Sequence, residues 1–158
     1  MIFVHLGAGA GDLDSGANFR CGVTEFIKKN SKSSDKIFLL EANPKNIPKL
    51  KNCYKKFPNA KIFNLGITNK RERKLNFFYT EDDAPHYQVC TTRKSHLKKH
   101  YPNSQIKTFS ISTITINEFL KKEVKSKIIE CLSIDLEGMD YESIMSINIK
   151  KKVIENIS

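Results

Sequence analysis

Residues Ile2–Leu6 form an unbroken run of apolar and β-prone residues that leads straight into a loop with glycine at alternate positions, Gly7, Gly9 and Gly11. This junction constrains the fold more than any other part of the chain. A short continuous apolar run reads as a strand buried on both faces. Glycine recurs where φ must be positive or where a side chain would block a close approach. A glycine loop at the carboxyl end of a first strand is where open α/β sheets bind nucleotide-like ligands. The dinucleotide fingerprint Gly-x-Gly-x-x-Gly fits poorly, because the third glycine comes one residue early and Asp12 stands where the pattern wants glycine. No Gly-x-x-x-x-Gly-Lys-Ser/Thr occurs, which excludes a P-loop. The spacing suits a smaller cofactor without a pyrophosphate, and S-adenosylmethionine is the leading case.

Further along, strands and helices alternate. A polar stretch, 13–20, precedes a helix expected over Gly22–Asn30 with Val23, Phe26 and Ile27 on one face. Lys36–Glu41 reads as a second buried strand. Asn43-Pro44 predicts a helix start, with Asn43 as cap and Pro44 in the first turn. Ile47, Leu50, Cys53, Tyr54 and Phe57 follow at helical spacing. Lys61–Leu65 is the third strand. This βαβαβ order predicts a parallel sheet with helices on both faces, a Rossmann-like α/β fold in one domain over residues 1–158.

The pattern then changes. Arg71–Lys74 reads as a turn, Leu75–Tyr79 alternates like a hairpin or edge strand, and 81–92 is a polar loop holding His86, Tyr87 and Gln88. Arg93–His100 is a short basic helix, Ile106–Ile114 is β-prone, and Thr115 caps a helix through Leu120. Ile128–Asp135 is a strong buried strand, Tyr141–Ile147 a helix, and Lys152–Glu155 a last short strand. The chain stops where a seven-stranded sheet would still lack strands, which leaves open a sheet truncated after its fifth core strand.

Two strand ends carry acids. Glu41 ends the second strand, where an acidic residue in nucleoside-binding α/β folds accepts ribose hydroxyls. It lies 34 residues after Gly7, against the usual ~20, and the stretch 13–20 accounts for much of the excess. Asp135 and Glu137 end the later strand, followed by Gly138. Topology puts all three at one crevice. Carboxylates there can act as a general base, bind a metal or hold a substrate by hydrogen bonds; no metal is assigned. Histidine titrates near neutrality, so His86 in the polar loop is a candidate base. His96 and His100 rank below it, and His5 is read as structural or as a cofactor neighbour.

Composition narrows the partners. The net charge is +10, but arginine occurs only at positions 20, 71, 73 and 93. Arginine is the better reader of phosphate and bases, and the lysines spread over every predicted helix. A solvated lysine surface is therefore preferred over a nucleic-acid face. No apolar run approaches the ~20 residues needed to span a bilayer, and no signal peptide is visible, so the cytoplasm is the default. Cys21, Cys53, Cys90 and Cys131 show no Cys-x-x-Cys pair, which argues against structural zinc or a disulfide framework. Oligomeric state is not readable.

The motifs, taken in order, resemble the FkbM family of S-adenosylmethionine-dependent methyltransferases. Gly7-Ala8-Gly9-Ala10-Gly11 resembles that family's glycine loop, with His5 in place of its acid and Gly9 in place of its asparagine. Glu41-Ala42-Asn43-Pro44 is similar to its Glu-Pro-x-Pro, and Leu65-Gly66-Ile67 to its segment after strand three. Ser112–Leu120 is similar to its Thr-x-Leu-Asp-x-Leu-Leu, and Ile134–Tyr141 to its Asp-x-Glu-Gly segment. The resemblance implies a class I methyltransferase fold and O-methylation of a small molecule or sugar. It implies cofactor contacts at Gly7, Ala8, Gly9, Gly11, Asp12, Glu41, Ala42, Asn64 and Gly66, and catalytic roles for Asp135, Glu137 and His86. The alternatives are a non-catalytic nucleotide- or nucleic-acid-binding module and an RNA methyltransferase.

Overall fold

The computed structural model describes residues 1–11, 21–69, 73–148 and 153–158. The strands are β1 (Ile2–Leu6), β2 (Lys36–Glu41), β3 (Ala60–Asn64), β4 (Gly66–Thr68), β5 (Lys74–Tyr79), β6 (Lys107–Thr115), β7 (Ile128–Ile129), β8 (Cys131–Ile134) and β9 (Val153–Ile154). The helices are α1 (Gly22–Asn30), α2 (Ile47–Cys53), α3 (Lys94–His100), α4 (Ile116–Phe119, continued by a π turn over Leu120–Val124) and α5 (Asp140–Ser146). The central sheet is parallel, in the order β3-β2-β1-β8.

Side-chain parity decides what covers each face. Successive residues of a strand point to opposite faces. Val4, Leu6, Phe38, Leu40, Leu132 and Ile134 pack on one side with Ile116, Phe119, Leu120 and Val124 of α4 and its extension. Phe3, Ile37, Leu39 and Cys131 pack on the other with Ile27 of α1 and Leu50 and Cys53 of α2. Phe119 is fully buried and meets the rings of Phe38 and Phe63 edge-on. Thr115 starts α4 with a reciprocal capping box to Glu118. The fold is thus α/β and Rossmann-like, with helices on both faces of a mostly parallel sheet.

Beyond β8 the chain crosses through α5 and returns. Val153 and Ile154 pair in parallel with Ile128 and Ile129, and Ile157 bridges to Leu132. Residues 153–158 therefore occupy a fifth parallel position, beside 128–134. A separate ribbon stands where the alternating pattern broke: β5 runs antiparallel to β6, which pairs in parallel with β4. Phe77 and Phe109 stack across it at 6.0 Å.

The helix expected from Asn43 begins later. Its N-cap is Asn46, Pro48 lies in its first turn, and it ends at Cys53. The Asn43 side chain instead accepts the Lys45 N–H at 3.0 Å, a local turn that competes with helix. Tyr54 and Phe57 pack edge to edge in the turns that follow. In α1, Ile27 is buried as expected, whereas Phe26 is 48 % exposed while its ring meets Phe3.

Two glycines of the first loop differ in what holds them. At Gly7 (φ +80°) a Cβ would lie 1.7 Å from the Asp135 carbonyl oxygen, whereas at Gly9 (φ +56°) it would meet open space. Gly7→Ala is therefore expected to cost upward of ~3 kcal/mol, combining left-handed strain with a backbone clash. Gly9→Ala should cost only the ~1–2 kcal/mol of the strain. Urea unfolding of the two variants checks this; equal costs would remove the close approach as the reason for Gly7.

Candidate active site

The Leu40 carbonyl accepts the N–H groups of both Gly7 (2.9 Å) and Ala8 (2.8 Å), which turns the chain sharply off the end of β1. The Asp135 N–H donates to the Leu6 carbonyl at 2.9 Å, so the ends of β1, β2 and β8 meet there. Glu41 then binds the loop. Its Oε2 accepts from Gly9 N–H at 2.8 Å and its Oε1 from Asn43 N–H at 2.7 Å. The Asn64 amide supports this turn from β3, donating to the carbonyls of Glu41 (2.9 Å) and Ala42 (3.0 Å). Gly66 is buried where a Cβ would strike the Phe77 ring at 2.7 Å.

The opposite wall is tied by acids of its own. Asp140 at the start of α5 accepts from Leu136 N–H (2.7 Å) and Gly138 N–H (3.2 Å), folding 135–140 back on itself. Glu137 has a left-handed backbone, φ +50°, uncommon for a residue with a side chain. Thr91 Oγ1 donates to its carbonyl at 2.9 Å, and His96 Nε2 lies 3.0 Å from its carboxylate. The loop carrying His86 is organised by buried Asp83, which accepts from Val89 N–H (2.8 Å) and the Tyr101 hydroxyl (2.6 Å). The Tyr87 hydroxyl donates to Glu81 at 2.5 Å, and Lys45 and Lys107 each approach Glu81 at 3.2 Å.

These parts enclose a cavity of about 330 Å³, within the range of small-ligand sites. Gly7, Ala8, Gly9, Gly11, Glu41 and Ala42 line it, and so do Asp135, Glu137 and His86. Asn64 and Gly66 do not: the first braces the turn beneath Glu41, and the second lets Phe77 pack. Asp12 lies outside the described residues. His5 lines the cavity and is itself buried. Sequence reasoning did not single out Leu65, Ile67, Phe77, Leu136 and Met139, which supply apolar wall, or Cys90. Phe77 was detectable as an inward position of the alternating Leu75–Tyr79 run, and Leu136 and Met139 as the apolar residues interleaved with the acids. Nothing local marks Cys90.

Burial dominates the electrostatics. It pushes the Glu41 carboxyl up to about 7, against its two backbone hydrogen bonds. Partial desolvation, followed by the Glu137 and Asp140 charges, raises Asp135 although its residue surface is exposed. Desolvation, with Glu41, Glu137 and Asp83 nearby, raises the Cys90 thiol, so it stays protonated. Burial lowers His5 to about 4, leaving the imidazole neutral, and its Nδ1 has no hydrogen-bond partner. Among the described residues, no lysine or arginine lines the cavity. Among them, too, no three His, Cys, Asp or Glu side chains are arranged to hold a metal ion, and no helix is long and apolar enough to cross a membrane.

The family model of the methyltransferase FkbM domain matches residues 14–157. The chain belongs to this family: it is a methyltransferase, with the class I fold described above. No curated protein and no solved structure matches it.

His5 and Glu41 have opposite effects on stability as pH changes. Glu41 has a folded pKa near 7 against 4.5 for the free group, so its contribution falls as pH rises between those values. His5 has a folded pKa near 4 against 6.5, so its contribution rises with pH over that interval. Between pH 4.5 and 6.5 the two offset each other. Glu41→Gln should leave stability climbing with pH across this window, and His5→Gln should leave it falling, each by ~2–3 kcal/mol. Denaturant unfolding at several pH values reads both slopes; identical profiles in the two variants would contradict the assignment.

Proposed function

We propose that this methyltransferase transfers a methyl group from S-adenosylmethionine to a hydroxyl of a small molecule. The observation that carries the reading is the charge of the cavity. The chain has a net charge of +10, yet Glu41, Asp135 and Glu137 reach the cavity and no described lysine or arginine does. Such a site favours a ligand that is itself cationic, and the cofactor carries a sulfonium and an ammonium. Gly9 adds an open space beside its carboxylate-bound N–H, room that a Cβ would narrow. When bound, the cofactor supplies a methyl group already activated for displacement.

The residues of this chain would bind, orient and accept a proton. A carboxylate has about four acceptor sites. At Glu41 these hold Gly9, Asn43 and the Asn46 side chain, leaving capacity to accept from a ribose hydroxyl. The backbone of Gly7–Gly11 would line the adenosine side, with Ala42 beside it. Holding the reacting oxygen in line behind the methyl can supply ~7–11 kcal/mol of the rate enhancement. Asp135, Glu137 or His86 would accept the hydroxyl proton, a role worth ~10²–10⁴-fold. All four cysteines are free thiols, which supports a reducing compartment such as the cytoplasm.

Titration calorimetry with S-adenosylmethionine is expected to show a single site. Glu41→Ala should weaken it by ~1.5–3 kcal/mol, the value of one charge-assisted hydrogen bond. Absence of binding at millimolar cofactor would sink the reading.

A further inference from the structure

We propose that the methyl acceptor of this enzyme is an uncharged or cationic compound with an apolar or aromatic body, and that acceptors of net negative charge are disfavoured. The inference rests on the methyltransferase reading of the cavity and extends it to the second substrate.

The electrostatics of the wall point one way. Three carboxylates, from the ends of β2 and β8 and the loop after β8, line the cavity, and the buried His5 beside them is neutral. An anion entering here would lose its hydration without gaining a counter-charge, and it would face like charges in a partly desolvated space. Described cations near the cavity are paired with acids. Lys45 and Lys107 both bind Glu81, and Arg93 binds Glu142 at 2.5 Å.

The remaining wall describes the acceptor's body. Leu65, Ile67, Phe77 and Met139 offer apolar surface, and Phe77 presents an aromatic ring already stacked on Phe109. Such a wall suits aliphatic or aromatic carbon, whose burial is favourable in proportion to area. Neutral polar groups in the wall that can orient a hydroxyl include Gln88 and the buried His5, whose Nδ1 has no protein partner. That unpartnered nitrogen marks the cavity as a place where a ligand's polar group is wanted.

Three phenols of one shape test this: 3-hydroxybenzylamine, 3-hydroxybenzyl alcohol and 3-hydroxybenzoate. They differ only in the charge of the side group. Binding is measured by calorimetry at mildly alkaline pH, where Glu41 is ionised, with and without S-adenosylhomocysteine. The amine and the alcohol are expected to bind, with the benzoate weaker than the amine by at least about tenfold. This order runs against the net charge of the protein, so non-specific attraction to the surface would give the reverse. The double substitution D135N/E137Q should shrink the gap between amine and benzoate without abolishing binding of the alcohol. Benzoate binding as tightly as the alcohol overturns the proposal, and so does failure of all three to bind at millimolar concentration. If S-adenosylhomocysteine fails to bind while the charge order holds, the cofactor reading falls and the charge selectivity of the cavity stands.

Discussion

Everything in the site depends on how closely the ends of β1 and β8 approach. The Leu40 carbonyl takes two consecutive N–H groups as the chain leaves β1, and the Asp135 carbonyl occupies the space where residue 7 would place a Cβ. Only a glycine at left-handed φ satisfies both. Because the parallel strands run in one direction, this turn gathers the carboxyl ends of β1, β2 and β8 at one point. The side chains of Glu41, Asp135 and Glu137 then share a cavity although nearly a hundred residues separate the first from the others.

Glu41 shows how one residue can serve structure and site together. Its carboxylate fastens the glycine loop through Gly9 and the turn after β2 through Asn43, and it still faces the cavity. The cost is visible in its proton affinity, which burial raises by more than the hydrogen bonds lower it. With His5 neutral and no described lysine or arginine in the wall, the cavity of a basic protein carries negative charge. That is an expensive arrangement unless a positive ligand completes it.

The central sheet was largely readable in the sequence because its strands obey a local rule. Ile2–Leu6 and Lys36–Glu41 are continuous apolar runs with abrupt ends, and both fall on the predicted residues. The Gly22–Asn30 helix was bounded as clearly. The start of α2 was misread because Asn43 and Pro44 resemble a helix start, while the Asn43 side chain and Glu41 use the same backbone groups for a turn. The site was legible where it uses strand ends and glycines, and illegible where it depends on long-range packing. Phe77 and Cys90 enter the cavity through the antiparallel ribbon and the Asp83-bound loop, and neither register nor loop path is encoded in a local pattern. Asn64 and Gly66 were near the site in sequence, but their contacts are structural.

The link between Asp140 and α5 reaches past the cavity. Asp140 belongs to the first turn of α5 and holds Leu136 and Gly138, while the far end of that helix is fastened to α4 by the Asn117 side chain, which donates to the Ser146 carbonyl and accepts from Asn148 N–H. The acidic wall and the docking of α5 on α4 are therefore held through the same helix. The order of the wall is thus linked to a helix-to-helix clasp on the opposite face of the sheet from the glycine loop's own packing.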